Sequence, residues 1–170
     1  MSVEELKALE RRYYEALNKK NLAALSEFFA SDFVEHTSLG SEMRGFEEYK
    51  KYITDMVGAF PDLNFTLHDF ITEGDKVAIR WTLTGTHKGE FRGIPPTNKK
   101  VTMWGIDIDR VTDGKFVEGW GRFDILGMMK QLGIILAPKT TGVSCLKSQI
   151  WGGAPISTTP FFFLVYFLPP

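Results

Sequence analysis

The sequence predicts an α+β fold in which N-terminal helices cover one face of a curved antiparallel sheet and leave a pocket between them. Two observations predict it. Apolar residues recur at helical spacing through the first 60 residues, and at strict period two from about residue 64 to 123. Runs of helix followed by runs of hairpin-linked strands give an α+β arrangement.

Ser2 and Glu5 have capping-box spacing, and Val3, Leu6, Leu9, Tyr13 and Leu17 then mark the stripe of a first helix. After "NKKN", the stretch "LAALSEFF" predicts a second, short helix with Asn21 as its cap. "DFVEHT" is too short for a helix and reads as a strand or extended turn. A third helix follows Gly45, with Phe46, Tyr49, Ile53, Met56, Val57 and Phe60 on one face, and stops before Pro61. "LNFTLHDFITE" then turns at Gly74-Asp75 into "KVAIRWTLTGTH", a hairpin signature. Within it Val77, Ile79, Trp81 and Leu83 share one face. "KVTMWGIDIDRVT" and "KFVEGWGRFD", joined at Asp113-Gly114, complete a four-stranded meander, and "ILGMMKQLG" closes it as a short helix ending at Gly133. Gly105, Gly119 and Gly121, inside the last strands, are where bulges or bends would sharpen the curl. A curled sheet closed by helices encloses a natural small-molecule site.

At 170 residues, with 44% apolar and 24% charged side chains, the chain fits one soluble domain. Its net charge of −1 argues against electrostatic capture of nucleic acid or anionic membrane. The single cysteine, Cys145, cannot form an internal disulfide, and the charged N-terminus has no signal-peptide core, so the expected location is cytoplasmic. Residues 1–138 carry all 21 acidic side chains and a net charge of −3; residues 139–170 hold only Lys139 and Lys147 and end in "FFFLVYFL". That run is far too short for a membrane-spanning helix. The 139–170 tail reads as a foreign extension with no selected fold in preference to an added strand or a dimer-swapped arm. The folded domain is accordingly placed at 1–138.

"DFVEHT", "RGFEEYKKYI", "AFPDLNF", "GDKVAIRWTLTGTHKGEFRGIPPTNKKV" and "DGKFVEGWGRFDILGMMKQLG" occur in an order and spacing that resemble the SnoaL-like polyketide (ester) cyclase family, within the nuclear-transport-factor-2-like superfamily. The resemblance covers roughly residues 3–136. It implies a cone-shaped domain with an interior pocket, no metal or organic cofactor, a small-molecule substrate, and a homodimer formed through the outer face of the sheet. It also implies that the long connection 85–100 lies at the rim of the pocket, bent by glycines, stiffened by Pro95-Pro96 and plugged by Phe91.

Candidate site residues follow from the resemblance and from strand parity. Asp124 matches the family's acid-base aspartate, and burial in an apolar cavity would raise its pKa into a useful range. The same residue could simply cap the closing helix. Trp120 shares its strand face and suits a flat ligand, although core packing is an equal reading. Gly119 stands where many relatives have histidine, which puts a histidine-assisted mechanism on this strand in doubt. His36 and His87 could hydrogen-bond a substrate carbonyl or serve only the structure. Asp107 shares a face with Asp109, opposite to Trp104 unless a bulge intervenes; either a shifted acid-base pair or plain salt bridges to Arg110 and Arg122 would account for them. Trp81, Trp104, Asp107, Trp120, His36 and His87 are therefore the candidate substrate contacts. Phosphate-binding, dinucleotide, nucleophile-elbow and cysteine-histidine metal motifs are absent. The expected function is a cofactor-free cyclase of the intramolecular aldol type. The alternatives are a non-catalytic pocket for an apolar ligand, and an isomerase or epoxide hydrolase using the same aspartate.

Overall fold

The computed structural model describes residues 1–38 and 40–135; the boundary at 138 and the tail expectations lie outside the described residues. Helix α1 spans Val3–Asn18. It begins on a reciprocal cap: the Glu5 N–H donates to Ser2 Oγ at 3.3 Å, and the Ser2 N–H donates to the Glu5 carboxylate at 2.7 Å. Its buried face holds the expected Leu6, Leu9, Tyr13 and Leu17, and also Glu10, which has no exposed surface. The second helix is a 3₁₀ segment, Leu22–Glu27, without a side-chain cap from Asn21. It cannot lengthen because Phe28 and Phe29 turn into the aromatic core around Tyr13, and strand β1 begins at once, spanning Phe29–His36. A short strand β2, Glu42–Arg44, precedes helix α2, Phe46–Ala59.

Strands β3 (Asn64–Glu73), β4 (Lys76–Thr86), β5 (Lys100–Thr112) and β6 (Lys115–Phe123) form the expected antiparallel meander, and helix α3 (Ile125–Leu132) ends at left-handed Gly133. The sheet is larger than the meander. Its order is β2-β1-β6-β5-β4-β3, with β1 running parallel to β6, so it has six strands and is mixed. The free edge of β6 accepts β1, which the sequence left between strand and turn.

The sheet is curved, and its register shifts do not fall at the predicted glycines. They fall at His68 in β3, at Val117 in β6 opposite Arg110 and Val111, and between Phe29 and Val34 in β1, whereas Gly105, Gly119 and Gly121 keep continuous pairing. These glycines make room instead. A Cβ on Gly105 would stand 2.3 Å from the Trp81 ring, one on Gly119 2.3 Å from a Glu35 oxygen, and one on Gly121 2.9 Å from the other Glu35 oxygen. Side chains therefore lie flat across the inner face at these three points.

The inner face of β4 is buried as expected: Val77, Ile79, Trp81 and Leu83 are each at most 4% exposed. α1 and α2 cover that face. The connection 87–99 is pinned to the end of α2, since the N–H groups of Lys88 and Gly89 both donate to the Ala59 carbonyl. At its tip Arg92 and Gly93 take φ of 52° and 78°, a tight turn closed by paired backbone bonds between Phe91 and Ile94.

Because Trp81 lies across Gly105, replacing Gly105 with alanine should cost about 1–3 kcal/mol in chemical denaturation, the usual range for overpacking a core. It should also displace the Trp81 indole, read as a shift in tryptophan emission.

Candidate active site

The concave face and the helices enclose a narrow hollow of about 60 Å3, room for only a few water molecules. Its walls are largely aromatic, and include Tyr13, Tyr14, Tyr49, Phe65, Trp81 and Phe123. Glu35, Asp107 and Asp109 also line it, with Glu10 buried behind them on α1. Tyr52 and Phe123 continue into a wider groove of about 220 Å3, bounded by Phe91, Arg92 and Ile94 of the 87–99 connection and by Met128 and Met129 of α3. The connection thus forms the rim that the resemblance implied.

Alternation puts the carboxylates inside. On β5, Met103, Gly105, Asp107 and Asp109 face the hollow while Trp104, Ile106 and Ile108 face out. On β1, Phe33 and Glu35 face in. Asp107 Oδ2 accepts hydrogen bonds from the Tyr14 hydroxyl and, at 2.7 Å, from Trp81 Nε1. Its Oδ1 points towards Gly121, where a Cβ would meet it at 3.2 Å and Glu35 Oε1 at 2.9 Å. Two carboxyl groups therefore face one another across the space that a side chain on Gly121 would fill. Glu35 Oε1 also accepts the Gly121 N–H at 3.1 Å.

Their environments separate their proton affinities. Burial raises Asp107 to about 6, held back by the two donors on Oδ2. Burial raises Glu35 further, to about 8, and the Asp107 charge adds to it while the Gly121 N–H and Arg122 oppose it. Near neutral pH the favoured state is an ionised Asp107 beside a protonated Glu35. Asp109 and Glu10 are both pushed well up, first by burial and then by neighbouring carboxylates. As two anions, Glu10 and Asp109 could not bond, and both Glu10 oxygens lack an ordinary donor. A proton held on Glu10 supplies the missing bond to Asp109.

Of the residues expected from sequence, Asp107 and Trp81 come together in the hollow. The others lie elsewhere. Asp124 is half-buried at the start of α3, where Oδ1 accepts the Gly127 N–H at 2.7 Å as a helix cap. The parity argument linking it to Trp120 and Arg122 holds, but residues 119, 121 and 123 face the hollow, so that set faces outward. Trp104 is 57% exposed on the same outer face. His36 stacks on Trp120 at 5.3 Å and pairs with Glu118 at 2.9 Å and Glu42 at 3.3 Å, outside the hollow. His87 is fully buried in the rim connection, against Phe60 at 5.2 Å, with Nδ1 accepting the Thr97 N–H at 3.3 Å. Burial lowers its pKa. It locks the connection and does not reach the hollow. The expected salt bridges from Asp107 and Asp109 are not formed either; Arg110 pairs with Glu118 at 2.8 Å. Among the described residues no group of three or more His, Cys, Asp or Glu side chains is placed to hold a metal ion.

Sequence reasoning missed Glu35, Tyr14 and Glu10. Glu10 had a readable signal, a charge four residues from Leu6 on an otherwise apolar stripe. Glu35 had a weaker one, opposite parity to His36 together with two alternate glycines on β6.

The SnoaL-like polyketide cyclase family profile matches residues 7–132. The chain belongs to that family. It is 28% identical over 128 residues to the aklanonic acid methyl ester cyclase DnrD of Streptomyces peucetius, covering 74% of this chain and 88% of that one. Among solved structures, AclR of Streptomyces galilaeus, a proposed hydroxylase, superposes with a TM-score of 0.74 at 31% identity, over 82% of this chain and 88% of that one. IdmH of Streptomyces antibioticus, a proposed polyketide cyclase, gives a TM-score of 0.66 at 34% identity, over 75% and 97%. Among the described residues no helix is long and apolar enough to cross a membrane.

The raised carboxyl groups make stability depend on pH. Below pH 4.5 Glu35 is protonated in folded and unfolded chains alike. Between 4.5 and about 8 the unfolded chain ionises while the folded one holds its proton, so stability falls as pH rises. Glu35→Gln should abolish this part of the fall. It is expected to raise the thermal midpoint at pH 8, by the equivalent of roughly a few kcal/mol, and to change it little at pH 4.5.

Proposed function

We propose that the chain is a cyclase that closes a ring within a polyketide-like small molecule by an intramolecular aldol step, with Asp107 as base and Glu35 as acid. The observation that carries the reading is the pair of carboxyl groups facing each other across Gly121, one favouring the charged form and one the neutral form. Tyr14 and Trp81 occupy Oδ2 and fix the carboxylate, leaving Oδ1 to take a proton from a carbon between two carbonyls. The resulting enolate carbon attacks a second carbonyl of the same molecule, forming the C–C bond, and Glu35 gives its proton to the new alkoxide. Asp107 is then protonated and Glu35 ionised, and one transfer between them restores the starting state. No net proton is gained or lost, and the flanking carbonyls carry the charge without a cofactor. Holding the two ends of the substrate together supplies orientation worth roughly 7–11 kcal/mol at best.

The narrow hollow suits this division of labour. Only the reacting carbons need enter it, while the body of the substrate lies in the groove between α3 and the rim connection. Because AclR is a proposed hydroxylase, family membership alone does not choose the reaction, and the acid pair is what supports the aldol reading.

Two measurements test this. Asp107→Asn should slow deuterium uptake at the carbon between the carbonyls of 1-(2-naphthyl)butane-1,3-dione, and ring closure of aklanonic acid methyl ester, by about 10²–10⁴-fold while ligand binding persists. Asp124→Asn should leave both rates nearly unchanged and, because asparagine accepts the Gly127 N–H as aspartate does, change stability little, whereas Asp124→Ala should cost about 1 kcal/mol as a lost cap. The reverse pattern would return the catalytic role to Asp124.

We also propose a cytoplasmic homodimer joined through the outer face of the sheet. Ile71, Trp104, Ile106 and Ile108 are 71%, 57%, 42% and 39% exposed there, an apolar patch that invites cover. Trp104→Glu should give a monomer in sedimentation velocity; a wild-type monomer at micromolar concentration overturns the proposal.

A further inference from the structure

Where the hollow opens into the groove, a half-buried tyrosine and a solvent-exposed arginine have no protein partner for their polar atoms among the described residues. The Tyr52 hydroxyl makes no hydrogen bond, and Arg92 makes no ion pair or hydrogen bond, among the described residues; both line the groove, and Tyr52 also lines the hollow. The Arg92 guanidinium carbon lies 5.7 Å from the Tyr52 ring centre and 5.8 Å from that of Phe91. Its charge is close enough to oppose the burial that raises Tyr52 to about 12. Acidic groups are nearby, since Glu48, Asp55 and Glu90 border the adjoining surface depression. None of them engages Arg92, and Asp55 is taken by Lys51 at 2.7 Å.

The backbone at Arg92 is also unusual. A φ of 52° is left-handed, at the first position of a turn that favours asparagine or glycine. A long β-unbranched cation is held there in a conformation disfavoured for it, at the junction of two cavities.

We infer that Arg92 and Tyr52 form a carboxylate clamp, so that the substrate class of this site is a flat polyketide-like acid in its ionised form, in preference to its neutral ester. The inference rests on the cyclase reading for the term polyketide-like, and on the mouth alone for the charge. Electrostatics also gives the ligand one direction. Ionised Asp107 at the inner end repels a carboxylate, while Arg92 at the mouth attracts it, so the acid end stays outward and the reacting carbons enter first. This separates the chain from relatives named for a methyl ester, in which the corresponding charge is absent from the substrate.

The probes are 2-naphthoate and methyl 2-naphthoate, matched in shape and different in charge, with binding followed by quenching of tryptophan emission or by calorimetry. Wild type should bind the acid at least about ten-fold more tightly than the ester, as a charge-assisted pair provides, and added salt should weaken only the acid. Arg92→Met should remove the preference while moving ester affinity less than about two-fold. Arg92→Gly should do the same and, because glycine accepts the positive φ, should fold at least as stably as wild type. Equal affinity of wild type for acid and ester, or a preference that survives in both variants, overturns the clamp. Deuterium uptake by 1-(2-naphthyl)butane-1,3-dione, which carries neither acid nor ester, separates this from the proposed chemistry: if wild type and Asp107→Asn exchange it equally slowly but the Arg92-dependent preference stands, the cyclase reading falls and the clamp remains.

Discussion

The site depends on two missing side chains. Gly119 and Gly121 alternate on the inner face of β6, and the space above them is filled by the carboxyl group of Glu35 reaching across from β1. Without that space Glu35 would have to leave the hollow, and Asp107 and Asp109 would lose the neighbour that faces them. A side chain on Gly119 would meet Glu35 at 2.3 Å and Asp109 at 2.9 Å, and one on Gly121 would meet Glu35 and Asp107. Any larger side chain at the position of Gly119 would claim this volume. The lack of a side chain there is what admits the glutamate. The parallel pairing of β1 with β6 then matters chemically, because the register that sets Glu35 against Gly119 and His36 against Trp120 sends the acid inward and the imidazole outward.

The meander, the capped first helix, the stripe of α2 and the closing helix were legible because each rests on a local pattern: period two, capping-box spacing, a proline stop, a glycine end. The parallel contact of β1 with β6 was not, since nothing local distinguishes an isolated short strand that pairs across the fold from one that stays extended in a loop. The site was half legible. Parity grouped Asp107 with Asp109, set Trp104 opposite, and joined Trp120 to Asp124, all of which the structure reproduces. Parity alone does not say which face is inside. The family resemblance put Asp124 in the pocket, whereas the local physics of an aspartate before a short helix put it on the first amide groups of α3. Glycines in strands were read as bend points, and here they are contact points; a sequence shows that a side chain is missing but not what comes to occupy the gap.

Burying carboxyl groups carries a cost that the rest of the domain must offset. Glu10, Glu35, Asp107 and Asp109 sit together, and among the described residues the charge that draws Glu35 back towards ionisation is Arg122, on the outward face of the sheet. The compensation lies next door. Tyr13 packs edge-on against Phe29 at 5.2 Å and Phe116 at 5.6 Å, and Phe29 meets Phe33 at 4.8 Å, so an aromatic cluster worth about 0.5–1.5 kcal/mol per pair beyond its buried area surrounds the acids. The Tyr13 and Tyr49 hydroxyls bond each other at 2.6 Å in the same wall, which keeps both rings facing inward without drawing on the carboxyl groups.

Protonation completes the compensation and at the same time creates the chemistry. Four anions in so small a volume would repel each other too strongly to persist, so the cluster retains protons, and those protons become the hydrogen bonds that ionised carboxylates cannot make. Asp107 differs from the others for a specific reason: it alone has two strong donors on one oxygen, Tyr14 from α1 and Trp81 from β4. Trp81 can reach it only because Gly105 lets the indole lie flat. The charge in the hollow is thus assigned to one residue by the placement of neutral neighbours. A lone anion fixed against an apolar wall, beside an acid that has kept its proton, is a consequence of how this sheet packs before it is a property of any reaction.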